Sequence, residues 1–435
     1  MSRYSYRGNN DNINYYVGSG VVMALLILYF GICGGAGKMA QVVYASSAFW
    51  FLTLISLAIG VGVKLKNPRE FTWPEYVLYF EFCLCVMFGL YALMFSTSTD
   101  LVRTEVWNGR ATSAYYQEQH TDRRTVTDYD SKGKPCGSHT EYYTHFAEYG
   151  VSSTAGDYGG SPSIYNAFKQ RWHNEQSHLG SCASAAGPFS VYTVSHDGSP
   201  HTLVPVAREH NYVNFVTASD SIRKLNGLVH GYERFLQKHP RTHNGPYGCT
   251  ELDRVVVAGA PVRSGWTMAV DQDLDMALVE LGPGKQCNIV VYIVGSSDQA
   301  FAHALEEHWK LGEKNDIVVV IGAPNFPEVS WAYVMAWTDV QDFKIGLREK
   351  ILNMGKDKTG DARGIGFAPD FVKVITDQVR LSSAHGGYQR KPMSDYDYLI
   401  SEISLPWWAS LIIVILGGAL QFGAACFLIH NDVRD

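Results

Sequence analysis

Four stretches of this chain carry almost no charge, and each is long enough to cross a hydrocarbon layer: Val17–Ala36, Tyr44–Val63, Tyr76–Phe95 and Leu405–Ile429. A helix rises about 1.5 Å per residue, so some twenty apolar residues span a bilayer. The pattern therefore predicts four transmembrane helices, with one water-soluble region of about three hundred residues between the third and fourth. Averaged composition hides this. The chain has 435 residues, 46% hydrophobic and 18% charged, values ordinary for a soluble enzyme, and only the bunching of the apolar residues sets it apart. A cleaved leader would also start with Arg3 and Arg7 and end in small residues. The first apolar run is longer than a leader core, however, and a second span follows within a few residues, as a helical hairpin requires.

Lysine and arginine collect on the cytoplasmic side of spans. Arg3 and Arg7 precede the first span, Lys64, Lys66 and Arg69 fill the loop between the second and third, and the turn between the first two holds only Lys38. Both termini are expected in the cytoplasm and the region from about Ser98 to Ile403 outside it, with Trp73, Trp407 and Trp408 as interfacial anchors. Cys136, Cys182, Cys249 and Cys287 fall in the exported region, an even number open to three disulfide pairings or to four buried thiols. None forms a C-x-x-C pair. Within the spans, Gly31 and Gly35, and Ala419 and Gly423, have the small-x-x-x-small spacing that lets helix backbones approach, so self-association is expected. Glu81 places a carboxylate inside the third span, where such groups are costly and often functional.

The chain is read as four parts: residues 1–97, the cytoplasmic N-terminus and three spans; 98–250, an exported β-rich arm and mixed segment; 251–400, an α/β domain; and 401–435, the fourth span and cytoplasmic tail. In the second part, Thr, Tyr and Val recur from Thr104 to Ser153 around the turn signal Ser131-Lys132-Gly133-Lys134-Pro135, which predicts a long two-stranded arm. A Gly/Ser-rich stretch from Gly150 to Ser163 follows. From Leu252 onward strand and helix alternate: VVVAGA, a helix around Gln272 to Leu281, the apolar run NIVVYIVG, a helix from Asp298 to Lys310, the run DIVVVIGA, then SWAYVMAW and a helix near Val340 to Asn353. Two uniform Val/Ile runs flanking a helix call for a β-α-β unit whose sheet is buried on both faces.

The stretch from Asn288 to Gly322 resembles the TPM domain, a family named from thylakoid and bacterial membrane-associated proteins. There a strand, a helix closing on a Trp, a Gly and an Asn-Asp pair, and a second strand recur, and Trp309, Gly312, Asn315 and Asp316 occupy those places. The segments EVWNGRATSAYY and HNYVNFVTASDSI are similar to parts of uncharacterised membrane proteins of large tailed bacteriophages. Those proteins join a cysteine-rich β region to a TPM-like domain and terminal spans. The two resemblances cover about half the chain, which departs from the phage pattern in lacking most of the clustered cysteines. They imply a four-span membrane protein with an exported α+β region, part β-hairpin-rich and part a TPM-like α/β sandwich, in the periplasm of a bacterial inner membrane. Some TPM relatives bind calcium or hydrolyse phosphate esters, so the resemblance admits calcium and a phosphatase-like activity.

Residue patterns for specific chemistry mostly fail on spacing. His303 and His308 beside Glu306 and Glu307 are five apart, unlike the i, i+4 histidines of H-E-x-x-H. Asp271, Asp273 and Asp275 imitate the start of a calcium loop, but Met276 and Gly282 stand where Gly and Glu are needed, and a solvated helix N-terminus is the favoured reading. Gly364-Ile365-Gly366 lacks the flanking strand and helix of a nucleotide fold. A net charge of −6 without basic runs argues against nucleic acid as a partner. No catalytic residue, metal ligand or cofactor is assigned. The expectation is a non-enzymatic, membrane-anchored assembly or interaction scaffold that binds itself or another envelope or virion protein. The alternatives are an exported phosphatase-like hydrolase and an oligomeric pore lined by Glu81.

Overall fold

The computed structural model describes residues 36–68, 73–98, 101–180, 182, 184–216, 219, 230–354 and 365–430. The chain divides into two compact units: Met1–Arg103, Tyr212–Asn226 and Pro392–Asp435 form one, and Thr104–Asn211 with Gly227–Lys391 the other.

Among the described residues of the first unit three helices are long and apolar enough to cross a membrane, α2 (Ser47–Lys66), α3 (Trp73–Ser98) and α9 (Trp407–His430). The first apolar window lies outside the described residues except for Ala36, which opens a short helix, α1 (Ala36–Ala45). Lys38 therefore sits on a helix rather than in a tight turn, and it pairs with Asp397 at 2.7 Å. The spans pack along stripes of every fourth residue. On α3 the buried stripe is Glu75, Tyr79, Cys83, Met87, Tyr91 and Phe95, and on α9 it is Ala409, Ile413, Gly417, Gln421 and Ala425. Four residues make little more than one helical turn, so each stripe lines one face and the other face is left to lipid. Trp73 and Trp407 are largely exposed at the span ends.

The second unit holds two main sheets. The first is antiparallel, in the order β5-β4-β1-β7-β6 with β8 also paired to β1. Its strands are β1 (Val102–Gln117), β4 (Glu148–Ser153), β5 (Tyr158–Gly159), β6 (Gln176–Leu179), β7 (Ser190–Ser195) and β8 (Pro205–Val213). Helix α4 (Pro162–Trp172) starts with Ser161, whose hydroxyl accepts from Ile164 N, and covers the sheet with Tyr165, Phe168 and Trp172. Tyr116 on β1 stands opposite Tyr149 and Tyr192 in the ladders on either side, and the three rings stack at 4.7 and 5.6 Å. Cross-strand aromatic pairs of this kind are the sheet's own stabilising units.

Between β1 and β4 the chain runs out and back as a two-stranded ribbon, β2 (His120–Tyr129) and β3 (Pro135–His145). Gln117 pairs with Glu148 and His120 with His145, so the ribbon keeps the register of β1 and β4 and all four strands are one long hairpin. The turn is fixed by Asp130, whose carboxylate accepts from the Lys132 and Lys134 amides at 2.8 and 2.9 Å, while Gly133 takes a φ of 74°. A positive φ there is easiest for glycine.

A short antiparallel pair, β9 (Thr242–Asn244) and β10 (Thr250–Leu252), precedes the second sheet, in which β11 (Val255–Ala258), β12 (Asn288–Val294) and β13 (Asp316–Gly322) are parallel and β14 (Trp331–Ala336) is antiparallel to β13, in the order β11-β12-β13-β14. Every residue of β12 and β13 is buried, which explains their uniform Val/Ile character. Ile289, Val291, Ile293, Ile317, Val319 and Ile321 face α5 (Ser264–Lys285), α7 (Gln341–Asn353) and α8 (Ala368–Arg380). Val290, Tyr292, Val294, Val318 and Val320 face α6 (Phe301–His308) and Phe235.

Candidate functional site

Most residues of the ribbon are exposed. Tyr129, Tyr142, Tyr143 and Phe146 are exposed aromatics on or just beyond it. Among the described residues β3 pairs with β2 alone, and the outer edge of β2 is covered only at its root, where Arg123 N donates to Ser184 O and Ala186 N to Thr121 O. Beyond Arg123 no described residue outside the ribbon pairs with the backbone of either edge.

The root of the ribbon gathers six side chains from three separate segments of the sequence. Alternation along β2 puts His120 and Asp122 on one face, and the ladder sets His145 directly opposite His120. His120 Nε2 lies 3.5 Å from Asp122 Oδ1, and His145 Nε2 3.4 Å from Asp122 Oδ2. The imidazoles stack at 5.0 Å, with Phe189 against His120 at 3.9 Å. Ser184 Oγ donates to Asp122 Oδ2 at 2.7 Å, and Cys182 Sγ lies 3.5 Å from the same oxygen. The Ser184 hydroxyl, then Cys182 and the two imidazoles, hold the Asp122 carboxyl below its usual range against the opposing effect of desolvation. A cleft of about 390 Å³, lined also by Gln117, His178 and Gly180, opens onto this group.

A second polar group crosses the amino-terminal edge of the parallel sheet. Arg254, buried to 1% exposure immediately before β11, donates to Asp275 at 2.6 Å, to Asn108 at 2.7 Å and to Asn288. Asn288 donates to Asp316 Oδ1 at 2.9 Å, and His239 Nε2 meets Asp316 Oδ2 at 2.8 Å. Burial alone would depress the His239 imidazole, but the Asp316 carboxylate overrides it and the pKa is raised; burial opposes ionisation of Asp316, and His239 nevertheless holds that carboxyl below its ordinary value. Ligands of open α/β sheets bind at the carboxyl ends of strands, so a network at the opposite edge is a fastening of the fold.

The four residues of the Trp-Gly-Asn-Asp motif belong to this fastening. Trp309 Nε1 donates to Gln237 O at 2.9 Å, and Asn315 Nδ2 to Val106 O at 2.8 Å. Asp316 also accepts from the Glu313 amide at 2.9 Å. Lys310, Leu311 and Gly312 turn the chain through φ values of 51°, 66° and 72°. The acids read as a solvated helix N-terminus lie instead in the middle of α5, which begins eight residues earlier than the sequence suggested. Asp271 accepts from Arg254 N at 2.6 Å and Asp275 pairs with the guanidinium; burial pushes the Asp271 carboxyl up to about 6. Glu306 is occupied by His303 at 3.0 Å and by Tyr333 at 2.7 Å.

In the spans, Glu81 is half-buried and two positions off the packed stripe of α3, whose Glu75 is buried. Ala419 and Gly423 face away from the α9 stripe, and Gly417 makes the close approach, to Met87. Two residues are about 200° around a helix, so a small-residue pair in this register looks outward. Gly31 and Gly35 lie outside the described residues. The missed contact is Gln421, whose amide donates to Ser56 Oγ at 2.5 Å between two spans.

Cys136, Cys182, Cys249 and Cys287 are free thiols at four different places: Cys136 exposed near the ribbon tip, Cys182 at its root, Cys249 in the core beneath the antiparallel sheet and Cys287 in that of the parallel sheet. Burial pushes the Cys249 and Cys287 thiols up to about 12, as inert core thiols require. No protein-family model, curated protein or solved structure matches this chain.

Proposed function

We propose that this protein is a membrane-anchored interaction scaffold whose ribbon takes up an extended segment of a partner protein by strand addition. The observation that carries this reading is the ribbon itself, with two open edges and exposed Tyr129, Tyr142, Tyr143 and Phe146. Open edges of this sort are ordinarily blunted or covered, and backbone pairing plus side-chain pockets is how extended peptides are captured. The scaffold has four spans, Val17–Ala36 being the first, with both termini cytoplasmic and the soluble unit exported; the charge distribution around the spans supports this orientation. The TPM-like reading of residues 251–400 and the kinship to phage membrane proteins rest on the sequence motifs, and they suggest an envelope or virion protein as partner. The outward faces of Ala419 and Gly423 support self-association of the spans.

The test is proximity cross-linking in membranes of the native setting, with a photoreactive residue at Tyr142. Wild-type chain is expected to give a discrete protein adduct through the ribbon. Replacing Tyr129, Tyr143 and Phe146 together by Ser should reduce it at least about tenfold, with the melting temperature unchanged because these positions are exposed. An adduct pattern indifferent to the triple replacement would refute the reading.

A further inference from the structure

We infer that the root of the ribbon is a zinc site, with His120, Asp122 and His145 as ligands and Cys182 as the fourth donor. The three donor groups present atoms that all lie within 4.8 Å of one another. Their separations from Asp122, 3.5 and 3.4 Å, are too long for good N–H···O hydrogen bonds. Each is close to the spacing of neighbouring ligands on a metal, since ligands bound at about 2.0 Å stand about 3.3 Å apart; His120 faces Oδ1 and His145 Oδ2 of a carboxylate that can bind through either oxygen. A thiolate bound at about 2.3 Å stands about 3.5 Å from such an oxygen. Cys182 Sγ is 3.5 Å from Asp122 Oδ2 and lines the same cleft.

The surroundings are those of a ligand set. Ser184 fixes the Asp122 carboxylate, the Glu118 carbonyl lies 3.4 Å from His120 Nδ1, and Phe189 holds the His120 ring by stacking. Two imidazoles, a carboxylate and a thiol suit zinc rather than calcium or magnesium, which take all-oxygen sets. An ion here joins β2, β3 and the segment around Cys182, and so fastens the base of the ribbon. This inference stands independently of whether the ribbon binds a partner.

The experiment uses the full chain in detergent, purified without a histidine tag, stripped with a chelator and titrated with Zn²⁺ and Co²⁺. One equivalent per chain is expected, with the visible absorption of tetrahedral Co²⁺ and a thiolate-to-metal band. His145→Ala, at a half-exposed position, should retain the wild-type melting curve of the stripped protein and weaken Zn²⁺ binding by at least about 100-fold. Ser184→Ala should weaken it about tenfold, the usual effect of losing an outer partner of a ligand. His139→Ala, which removes a histidine paired with Asp128 further along the ribbon, is the control and should change nothing. Absence of stoichiometric binding, binding that survives both His145→Ala and Asp122→Asn, or binding lost in His139→Ala overturns the site. A Co²⁺ spectrum unaltered by Cys182→Ser overturns the fourth ligand.

Discussion

Replacing Asp316 by Asn tests whether the polar row at the sheet's amino edge fastens the fold. The Asp316 carboxylate is 1% exposed and accepts from His239, Asn288 and the Glu313 amide at 2.8, 2.9 and 2.9 Å. Asparagine keeps the shape but turns one acceptor into a donor and leaves the imidazolium without its counter-charge. Breaking a buried pair by removing one partner costs about 3–5 kcal/mol. For a unit of this size that corresponds to a melting temperature lower by on the order of 10 °C. The pH dependence is more specific. His239 has a raised folded pKa, so its contribution is fully present below the ordinary 6.5 and is lost as pH rises through the raised value. Asp316 has a depressed one, so its contribution is fully present above 3.8 and is lost as pH falls through the depressed value. The pair therefore stabilises most between those ordinary values. In Asp316→Asn the buried imidazole resists protonation, so the gap to wild type should be widest near pH 5.5 and narrow in mildly alkaline buffer. Thermal unfolding of the full chain in detergent, followed by tryptophan fluorescence, measures it. A loss below about 3 °C at the acidic end, or a gap that widens as pH rises, would refute the argument.

Two further outcomes follow from the packing. Gly312→Ala puts a Cβ on a residue with φ of 72°, with only ordinary contact to Asp316, so the cost should be backbone alone, about 1–2 kcal/mol by thermal unfolding. Gln421→Leu removes the amide that reaches Ser56 between spans and should cost about 0.6–2 kcal/mol in a detergent-unfolding titration; no loss would mean that the contact contributes nothing in the membrane.

Three of the spans and the parallel sheet were legible because each depends on local composition: a run of apolar residues, or a Val/Ile strand buried on both faces. The ribbon was legible from its turn signal. What escaped depends on register and on tertiary partners. His120 and His145 are unremarkable in sequence: pairing outward from the 130–134 loop would set His120 opposite Thr144, and only the register shift between Asp128 and Tyr129 brings His145 there. Asp271 and Asp275 looked solvated because Arg254, their partner, lies on a strand edge well before them in the chain. Ala419 and Gly423 have the spacing of a packing motif, but α9 holds small residues on two faces, and only the neighbouring helices decide which face is used.

The unbroken register from β1 and β4 into the ribbon also gives the molecule a mechanical character. Sixteen residues of β1 extend over about 50 Å at the usual strand rise, and β4, β7 and β8 hold it on both sides. A pull on the ribbon tip is thus delivered along the length of a central strand. Hydrogen bonds lying across that line share the load in shear instead of opening one after another. A partner tugging on the arm would meet a stiff tether, and the tension would be passed to the interior of the sheet before its outer strands could peel.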